Sequence, residues 1–213
     1  MAHGARLAIV GITPGAQQAE KALAAFRRAL AAGATEAKAL RIAKSAASFS
    51  GRMRNTLIAM LDLVGAPAAL GARSAAEFFE PGFEGVHFTS ALRHPVFAKG
   101  KNYNGAPNML RSPVLRAMVE EHLAAEVQAL PEAMWLPLGP KSVPALEHLV
   151  TRGVLDRSRL LPALPHPSGA NAERTVYFLG RKPRADLSPK TDGTALDAAR
   201  EWLTAAFAAM ARG

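Results

Sequence analysis

The chain has 213 residues, 49% of them hydrophobic, which predicts one folded domain over residues 1–213 rather than a disordered chain. It contains no cysteine, which excludes disulfides, thiolate zinc sites, cysteine-ligated iron–sulfur clusters and cysteine nucleophiles. Lys and Arg number 26 against 17 Asp and Glu, and the net charge of +9 favours a polyanionic partner without identifying any chemistry.

The apolar segments are too short or too interrupted to predict secretion or membrane insertion. The first ten residues contain one Arg and a short apolar run, which is typical of a first strand rather than of a secretory signal. Elsewhere charged residues interrupt the apolar stretches every few positions. We therefore expect a cytoplasmic location, no membrane partner and, for a chain of this size, a monomer.

The first part of the chain predicts one buried strand followed by helices. Arg6–Gly11 is an apolar run that ends in glycine, as expected for a buried strand that enters a tight turn. Apolar residues then recur at helical spacing between capping residues, which predicts three helices: Gln17–Ala32, Thr35–Ala47 and Arg52–Val64.

Strands and helices alternate in the rest of the chain. Short apolar runs predict three further strands: Val86–Leu92, Met134–Gly139 and Leu160–Leu164. Amphipathic stretches predict three further helices: Ser112–Leu130, residues 140–152 and Asp197–Met210. The stretch His94–Pro113 is rich in Gly, Pro and Asn, which predicts a long surface loop, and loops of that length are usually functional.

This alternation predicts an α/β fold in which helices cover both faces of a parallel sheet. Ligands of such sheets bind in the loops beyond the carboxyl ends of the strands. The loops that follow the four predicted strands have the sequences GITPG, SALRHP, GPKS and PHPSGAN. We expect these loops to meet at one edge of the sheet.

Two of these loops carry the most specific motifs. The turn Gly11-Ile12-Thr13-Pro14-Gly15 has two glycines that permit close backbone approach to a ligand and a proline that stiffens it. Taken alone, it is also compatible with a plain strand-to-helix turn. His166 lies between two prolines, which restricts its ring, and such a His can donate a hydrogen bond to a leaving group that becomes an anion. A lone His in a loop is more often an ordinary surface residue.

In their order along the chain, these motifs resemble the uracil-DNA glycosylase superfamily, over about Leu7 to Gly180. Gly11–Gly15 resembles the GINPG-type motif of mismatch-specific uracil glycosylases. Ser48–Gly65 is similar to the segment around the base-stacking Phe of the iron–sulfur uracil glycosylases, and Pro165–Ser168 resembles the catalytic His loop. The lack of cysteine excludes the iron–sulfur branch itself.

The resemblance implies a fold and an activity. The fold is a three-layer α/β/α sandwich with a central four-stranded parallel sheet. The activity is a hydrolase of base excision repair, which cleaves the N-glycosidic bond of uracil in damaged DNA and leaves an abasic site. The base must first be flipped out of the duplex, because the glycosidic carbon is unreachable inside the stack. No metal and no cofactor is implied, and the partner is DNA that contains uracil or abasic sites.

The resemblance also implies roles for individual residues. His166 would donate to the uracil carbonyl oxygen, Phe49 would stack on the base, and the backbone from Gly11 to Gly15 would line the pocket. The expected phosphate contacts are Ser168 and the backbone amides of Lys141 and Ser142, which open a helix. Ordinary alternatives are a core position for Phe49, a solvated helix start for Lys141 and Ser142, and general phosphate attraction for Lys99 and Lys101.

The chain departs from the family pattern at three places. Thr13 stands where many relatives carry an Asp or Asn that positions the attacking water; its hydroxyl can hold a water but is no general base at neutral pH, which predicts weaker turnover. Ser90 stands where relatives read the uracil edge with an Asn, and His87, Arg93, His94, Asn102 and Asn104 are candidates to substitute. Gly169-Ala170-Asn171 lacks the bulky wedge that relatives place after this loop, so that Asn171 or Arg174 could enter the groove instead.

Two other functions fit the sequence. One is a superfamily member that binds uracil or abasic DNA but cleaves poorly, given Thr13 and Ser90. The other is an unrelated nucleotide-binding domain whose Gly11–Gly15 turn cradles a phosphate. This turn lacks the Lys-Ser/Thr of a P-loop and the third Gly of a dinucleotide-binding fingerprint, which argues against the second alternative.

Overall fold

The structure is a computed structural model that describes residues 4–80 and 82–212. Its strands are β1 (Leu7–Gly11), β2 (Val86–Ser90), β3 (Phe97–Ala98), β4 (Lys101–Asn102) and β5 (Met134–Pro137). Its helices are α1 (Ala16–Ala31), α2 (Glu36–Ala47), α3 (Arg52–Leu63), α4 (Ala66–Ala69), α5 (Pro113–Met118), α6 (Ala124–Ala129), α7 (Val143–Thr151), α8 (Ala172–Phe178) and α9 (Gly193–Met210). A π-helical turn over Val119–Leu123 joins α5 to α6.

The three longer strands form a parallel sheet in the order β2-β1-β5, which confirms the α/β prediction. Leu7 at the start of β1 is level with Val86 of β2 and with Met134 of β5. All five residues of β1 are buried, as expected for the central strand of a sheet that is covered on both faces.

The fourth predicted strand, Leu160–Leu164, is not continuous in the structure. Leu160 and Leu164 form isolated parallel bridges to Trp135 and Leu138 on the β5 side of the sheet. Pro137 of β5 has no N–H to donate to this segment, which interrupts the hydrogen-bond ladder. The Leu161 N–H donates to the Trp135 carbonyl at 2.9 Å, and the next donor is the Leu164 N–H, which reaches the Pro137 carbonyl at 3.0 Å. The described residues therefore form a three-stranded sheet with this segment along its β5 edge.

Helices pack on both faces of the sheet, because side chains alternate along β1. Leu7 and Ile9 belong to an apolar cluster with buried residues of α3, α4, α8 and α9. Ala8 and Val10 belong to a second cluster with buried residues of α6 and α7. In the part of the chain that the structure describes, no helix combines the length and apolar composition needed to cross a bilayer.

Alanine forms the contact between α1 and α2, which pack on each other as a helical hairpin. The buried residues of the two helices are all alanine: Ala25 and Ala29 in α1, and Ala39, Ala43 and Ala47 in α2. Such small side chains permit close approach of the two helix axes. The outer surfaces carry most of the charge, with six cations (Lys21, Arg27, Arg28, Lys38, Arg41 and Lys44) against Glu20 and Glu36.

Some short elements are not predicted by the sequence pattern. The β3–β4 hairpin lies within the stretch predicted as loop, and α8 has only seven residues, too few to show a clear helical period. Helix α9 begins at Gly193, four residues before the predicted start, because Asp192 caps it by accepting from the Ala195 N–H at 3.0 Å.

Glu173 of α8 anchors the segment that connects α8 to α9. Its carboxylate accepts from Lys182 Nζ at 2.8 Å and from the Ser188 N–H at 3.1 Å, as well as from the hydroxyls of Ser188 and Thr191. These donors, the Lys182 ammonium first among them, hold the pKa of Glu173 far below its usual range. These bonds hold the segment between α8 and α9 against α8, the helix that follows the His166 loop.

We expect Glu173→Gln to lower the melting temperature at neutral pH by a few degrees, while Glu147→Gln on the surface of α7 leaves it unchanged. Because the folded-state pKa is depressed, the stabilisation by Glu173 is present above its unfolded-state pKa of about 4.3 and lost as the pH falls below it. The difference between wild type and Glu173→Gln in thermal unfolding should therefore shrink with acidification. A difference that stays constant from pH 7 to pH 3 would contradict this role.

Candidate functional site

The carboxyl ends of the strands meet along one edge of the sheet, as predicted. Gly11 at the end of β1 is level with Ser90 at the end of β2. On the other side, the Leu138 N–H donates to the Val10 carbonyl at 2.9 Å and the Gly139 N–H donates to the Leu164 carbonyl at 2.7 Å. The loops after all four segments therefore open on the same edge.

Phe49 lies over Gly11 at this edge. A Cβ added to Gly11 would come within 3.4 Å of both the Phe49 ring and Ser90 Oγ, so the glycine keeps the space between them open. The structure thus brings together three of the predicted base-binding residues. Phe49 is also part of the core, since it is 7% exposed and packs edge-on against Phe88 with ring centroids 5.9 Å apart.

The backbone of Phe49 is strained, and Arg54 holds it in place. Phe49 has a φ of +49°, in the left-handed region that aromatic residues rarely adopt. The Arg54 guanidinium donates to the carbonyls of Ser45 at 2.7 Å and Ser48 at 2.8 Å, and it stacks over Phe79 at 4.6 Å. It thereby fixes the end of α2 that leads into Phe49. Strain sustained in this way is concentrated at functional sites.

His166 is placed by its contact with Gly139. A Cβ on Gly139 would come 2.9 Å from His166 Cβ, and the φ of Gly139 is +74°, so both space and backbone require glycine there. The Ser168 N–H donates to Nδ1 of the ring at 3.3 Å. Because Nδ1 accepts, the neutral ring carries its proton on Nε2. Burial lowers the pKa of His166, which favours this neutral form with an Nε2–H donor.

A series of hydrogen-bonded side chains supports the loop that contains His166. Ser168 Oγ accepts from Asn171 Nδ2 at 3.1 Å, and Asn171 Oδ1 accepts from Arg174 at 2.9 Å. Arg174 also donates to the Lys190 carbonyl at 2.8 Å. Asn171 and Arg174 were predicted to reach DNA, but their polar atoms are engaged within the protein. They line a cavity of about 150 Å³ beside the exposed Gly169 turn.

Ser142 is turned inward, whereas Lys141 is exposed. The Ser142 hydroxyl is fully buried and donates towards the carbonyls of Leu138 and Gly139, at 3.1 and 3.0 Å. Its N–H donates to the Gly139 carbonyl at 3.3 Å. The predicted phosphate contact at this helix start therefore rests on Lys141, whose stem packs against Gly105.

Thr13 connects the first turn to the loop after β2. Its hydroxyl donates to the His94 carbonyl at 2.8 Å and accepts from the Val96 N–H at 3.1 Å. Its proton is therefore engaged, and only one lone pair is left for a water. A second connection comes from Asn102, whose side-chain oxygen accepts from the Ala16 N–H at 3.1 Å. This cap on α1 is a role that the sequence did not indicate.

His87 lies on the opposite face of β2 from Ser90, because side chains alternate along a strand. Its Nε2 lies 3.1 Å from Glu126, and burial lowers the pKa of His87. Burial also opposes the charge of Glu126, but hydrogen bonds from His87 and Thr89 outweigh it and keep the Glu126 pKa below its usual value. His87 is thus committed to a buried pair and does not face the Phe49 side of the sheet. The exposed Arg93 lies 3.6 Å from the same carboxylate.

Comparison with known proteins provides a relative without a functional name. The chain is 37% identical over 199 residues to "Uncharacterized protein YoxB" of Bacillus subtilis (strain 168), and the alignment covers 92% of this chain and 78% of YoxB. This chain belongs to the YoxB family. No family model matches it, and no solved structure matches it.

The YoxB-family site contains two residues that sequence reasoning missed. Neither Arg54 nor Gly139 was predicted as a site residue. Arg54 acts through Phe49, because it holds the segment that leads into it, and Gly139 acts through His166, which it contacts. The glycine could have been found, since it ends a predicted strand, where backbone freedom is often needed. Nothing in the local pattern distinguishes Arg54 from the other cations around it.

We expect Thr13→Val in this YoxB-family protein to release the loop after β2, because valine keeps the shape but loses both hydrogen bonds. Amide hydrogen exchange at Val96 should become about fivefold to tenfold faster. Thr13→Ser, which keeps the hydroxyl, is the matched control and should exchange like wild type. Equal exchange in the Val and Ser variants would show that this hydroxyl does not hold the loop.

Proposed function

We propose that this protein is a uracil-DNA glycosylase-type hydrolase that binds a uracil flipped out of DNA and hydrolyses its N-glycosidic bond. The observation that carries the proposal is that a neutral Nε2–H donor, His166, and an aromatic residue with a strained backbone, Phe49, lie at the same sheet edge. Neither feature alone would identify the reaction. The proposal draws on no metal and no cofactor.

The strand order places both side chains at the same part of the sheet edge. Phe49 and Ser90 flank Gly11 at the end of β1, and His166 lies against Gly139 beyond the neighbouring β5. β1 and β5 are adjacent strands, about 4.8 Å apart, so Gly11 below the Phe49 ring and Gly139 beside His166 lie on neighbouring strands of the same edge. The flipped base would lie at this part of the edge, between the two side chains.

The proposed reaction needs a hydrogen-bond donor for the leaving group. As the bond between C1′ and N1 breaks, the sugar becomes an oxocarbenium ion and uracil leaves with the electron pair as an anion. The His166 Nε2–H would donate to a carbonyl oxygen of this anion, and a donor of this kind lowers a barrier by about 2.7–4 kcal/mol. Water adds to C1′ and loses a proton, which gives an abasic site and free uracil.

Charge supports DNA as the partner. The net charge is +9, and the α1–α2 hairpin, which begins at the Gly15 end of the first turn, carries six cations against two carboxylates. The exposed Lys141 adds a cation two residues after Gly139, which contacts His166. Phosphates of the bound strand would also stabilise the sugar cation, since Thr13 supplies no general base.

The proposal also covers the fourth strand, the oligomeric state and the location of the protein. The two parallel bridges of the segment 160–164 support its assignment as a fourth strand, which would complete a three-layer sandwich with a four-stranded sheet. A single domain that acts as a monomer on cytoplasmic DNA fits the same proposal.

A second candidate function is recognition of uracil or abasic DNA with poor cleavage. The commitment of the Thr13 hydroxyl to His94 and Val96 favours it, because the residue best placed for the attacking water is largely used elsewhere. Ser90 offers only one hydroxyl to the base. Such a binding protein would use the same site but would cleave the glycosidic bond much more slowly.

Cleavage of a labelled oligonucleotide separates these functions. We expect wild type to produce alkali-labile scission at a single uracil, and His166→Ala to lower the single-turnover rate by about 100-fold or more. His148→Ala is the matched control, because His148 pairs with Glu120 on another part of the surface at 2.8 Å. Retention of the oligonucleotide without scission would establish the binder. Undiminished scission in His166→Ala would refute the assigned role.

The pH dependence of cleavage tests the tautomer. Protonation of Nδ1 would break its hydrogen bond with the Ser168 N–H, so we expect activity to fall as the ring becomes charged. Because burial depresses the His166 pKa below about 6.5, the rate should stay level down to that pH and fall below it. The acid limb should match the His166 titration followed by NMR. A limb centred above pH 7 would contradict this assignment.

A further inference from the structure

The β3–β4 hairpin stands on the rim of the candidate site. Phe97 pairs with Asn102 and Ala98 pairs with Lys101. The two residues at the tip, Lys99 and Gly100, both have positive φ, at 51° and 74°, as in a tight two-residue turn. The tip and both short strands are exposed to solvent.

Two anchors fix this hairpin to the turn after β1. Thr13 bonds the chain just before β3, through His94 and Val96. Asn102 at the end of β4 bonds the Ala16 N–H, and its side chain lies against Gly15. The position of the hairpin is therefore set by the same turn that begins at Gly11, beneath the Phe49 ring.

The exposure of Phe97 is the feature of the hairpin that the fold does not explain. Its side chain is 53% exposed, although a large aromatic ring gains most from burial. Directly opposed residues of an antiparallel pair project from the same face, so Phe97 lies on the face of Asn102, which contacts the turn after β1. Lys99 at the tip and Lys101 next to it are exposed cations of the same hairpin. A hairpin that carries an exposed aromatic ring and two cations fits a nucleobase and its neighbouring phosphates.

We propose that Phe97 is the wedge that enters the base stack of duplex DNA where the target nucleotide has left it. The inference rests on the proposed function. The usual place for a wedge, after His166, is occupied by Gly169 and by Asn171, whose amide is bonded to Ser168 and Arg174. Inserted apolar side chains compensate for lost stacking in other DNA-bending proteins, and an aromatic ring stacks on any base.

Rates on duplex and on single strand test the wedge, because a single strand has no stack to refill. We expect Phe97→Ala to lower the single-turnover rate on uracil in duplex by about tenfold and to leave the single-strand rate within about twofold. Phe97→Trp should retain the duplex rate. Trp202→Ala removes a comparably exposed ring from α9 and should change neither rate. An equal loss on both substrates, or no loss on either, would overturn the wedge while leaving the glycosylase proposal standing.

A binding readout keeps the test independent of cleavage. A duplex with a tetrahydrofuran abasic analogue opposite 2-aminopurine reports local unstacking by fluorescence. We expect wild type to change this fluorescence and Phe97→Ala to bind with a much smaller change. If wild type cleaves nothing but this difference persists, the glycosylase proposal fails and the wedge stands. If wild type neither cleaves nor alters the fluorescence, both are overturned.

Discussion

The parallel pairing of β1 with both of its neighbours is the constraint on which the site depends. Because β1 is buried along its whole length and hydrogen-bonded on both sides, its carboxyl end cannot shift relative to β2 and β5. Gly11, Ser90 and Gly139 therefore keep fixed positions along one edge. The loops that follow inherit that order, and His166 is placed by contact with Gly139 rather than by any direct bond to the first motif.

The architecture could be predicted from the sequence to the extent that burial controls it. The apolar run of β1 and the helical periods of α1 to α3 depend on local patterning, which survives in the sequence. The fourth strand could not be predicted in this way, because the N–H that Pro137 lacks matters only when the folded sheet places a neighbour that would accept from it. The β3–β4 hairpin is similar, since two-residue strands have no period and depend on anchors at Thr13 and Asn102.

The site was predictable at the level of residue type but not of hydrogen-bond partner. Thr13 and Asn171 lie in turns at this edge and Arg174 lies in the first turn of α8, which made these polar residues candidates for water or DNA contacts. In the structure each bonds another part of the protein, and the Thr13 partner is 81 residues away in sequence. A polar side chain has few donors, and a distant carbonyl can use them all. The spacing of residues along the sequence does not show which of these hydrogen bonds form in the fold.

The same competition shapes the proposed chemistry. Under the proposed function Thr13 would hold water poorly, because its hydroxyl is largely engaged, so the barrier would be lowered mainly at the leaving group. The fixed tautomer of His166 suits this task, since the Ser168 amide holds Nδ1 and leaves Nε2–H as the free donor. Such a site would favour bases that leave readily as anions, because its main interaction grows with negative charge on the departing ring. Selectivity would then come from the stability of the leaving base as much as from contacts at Ser90.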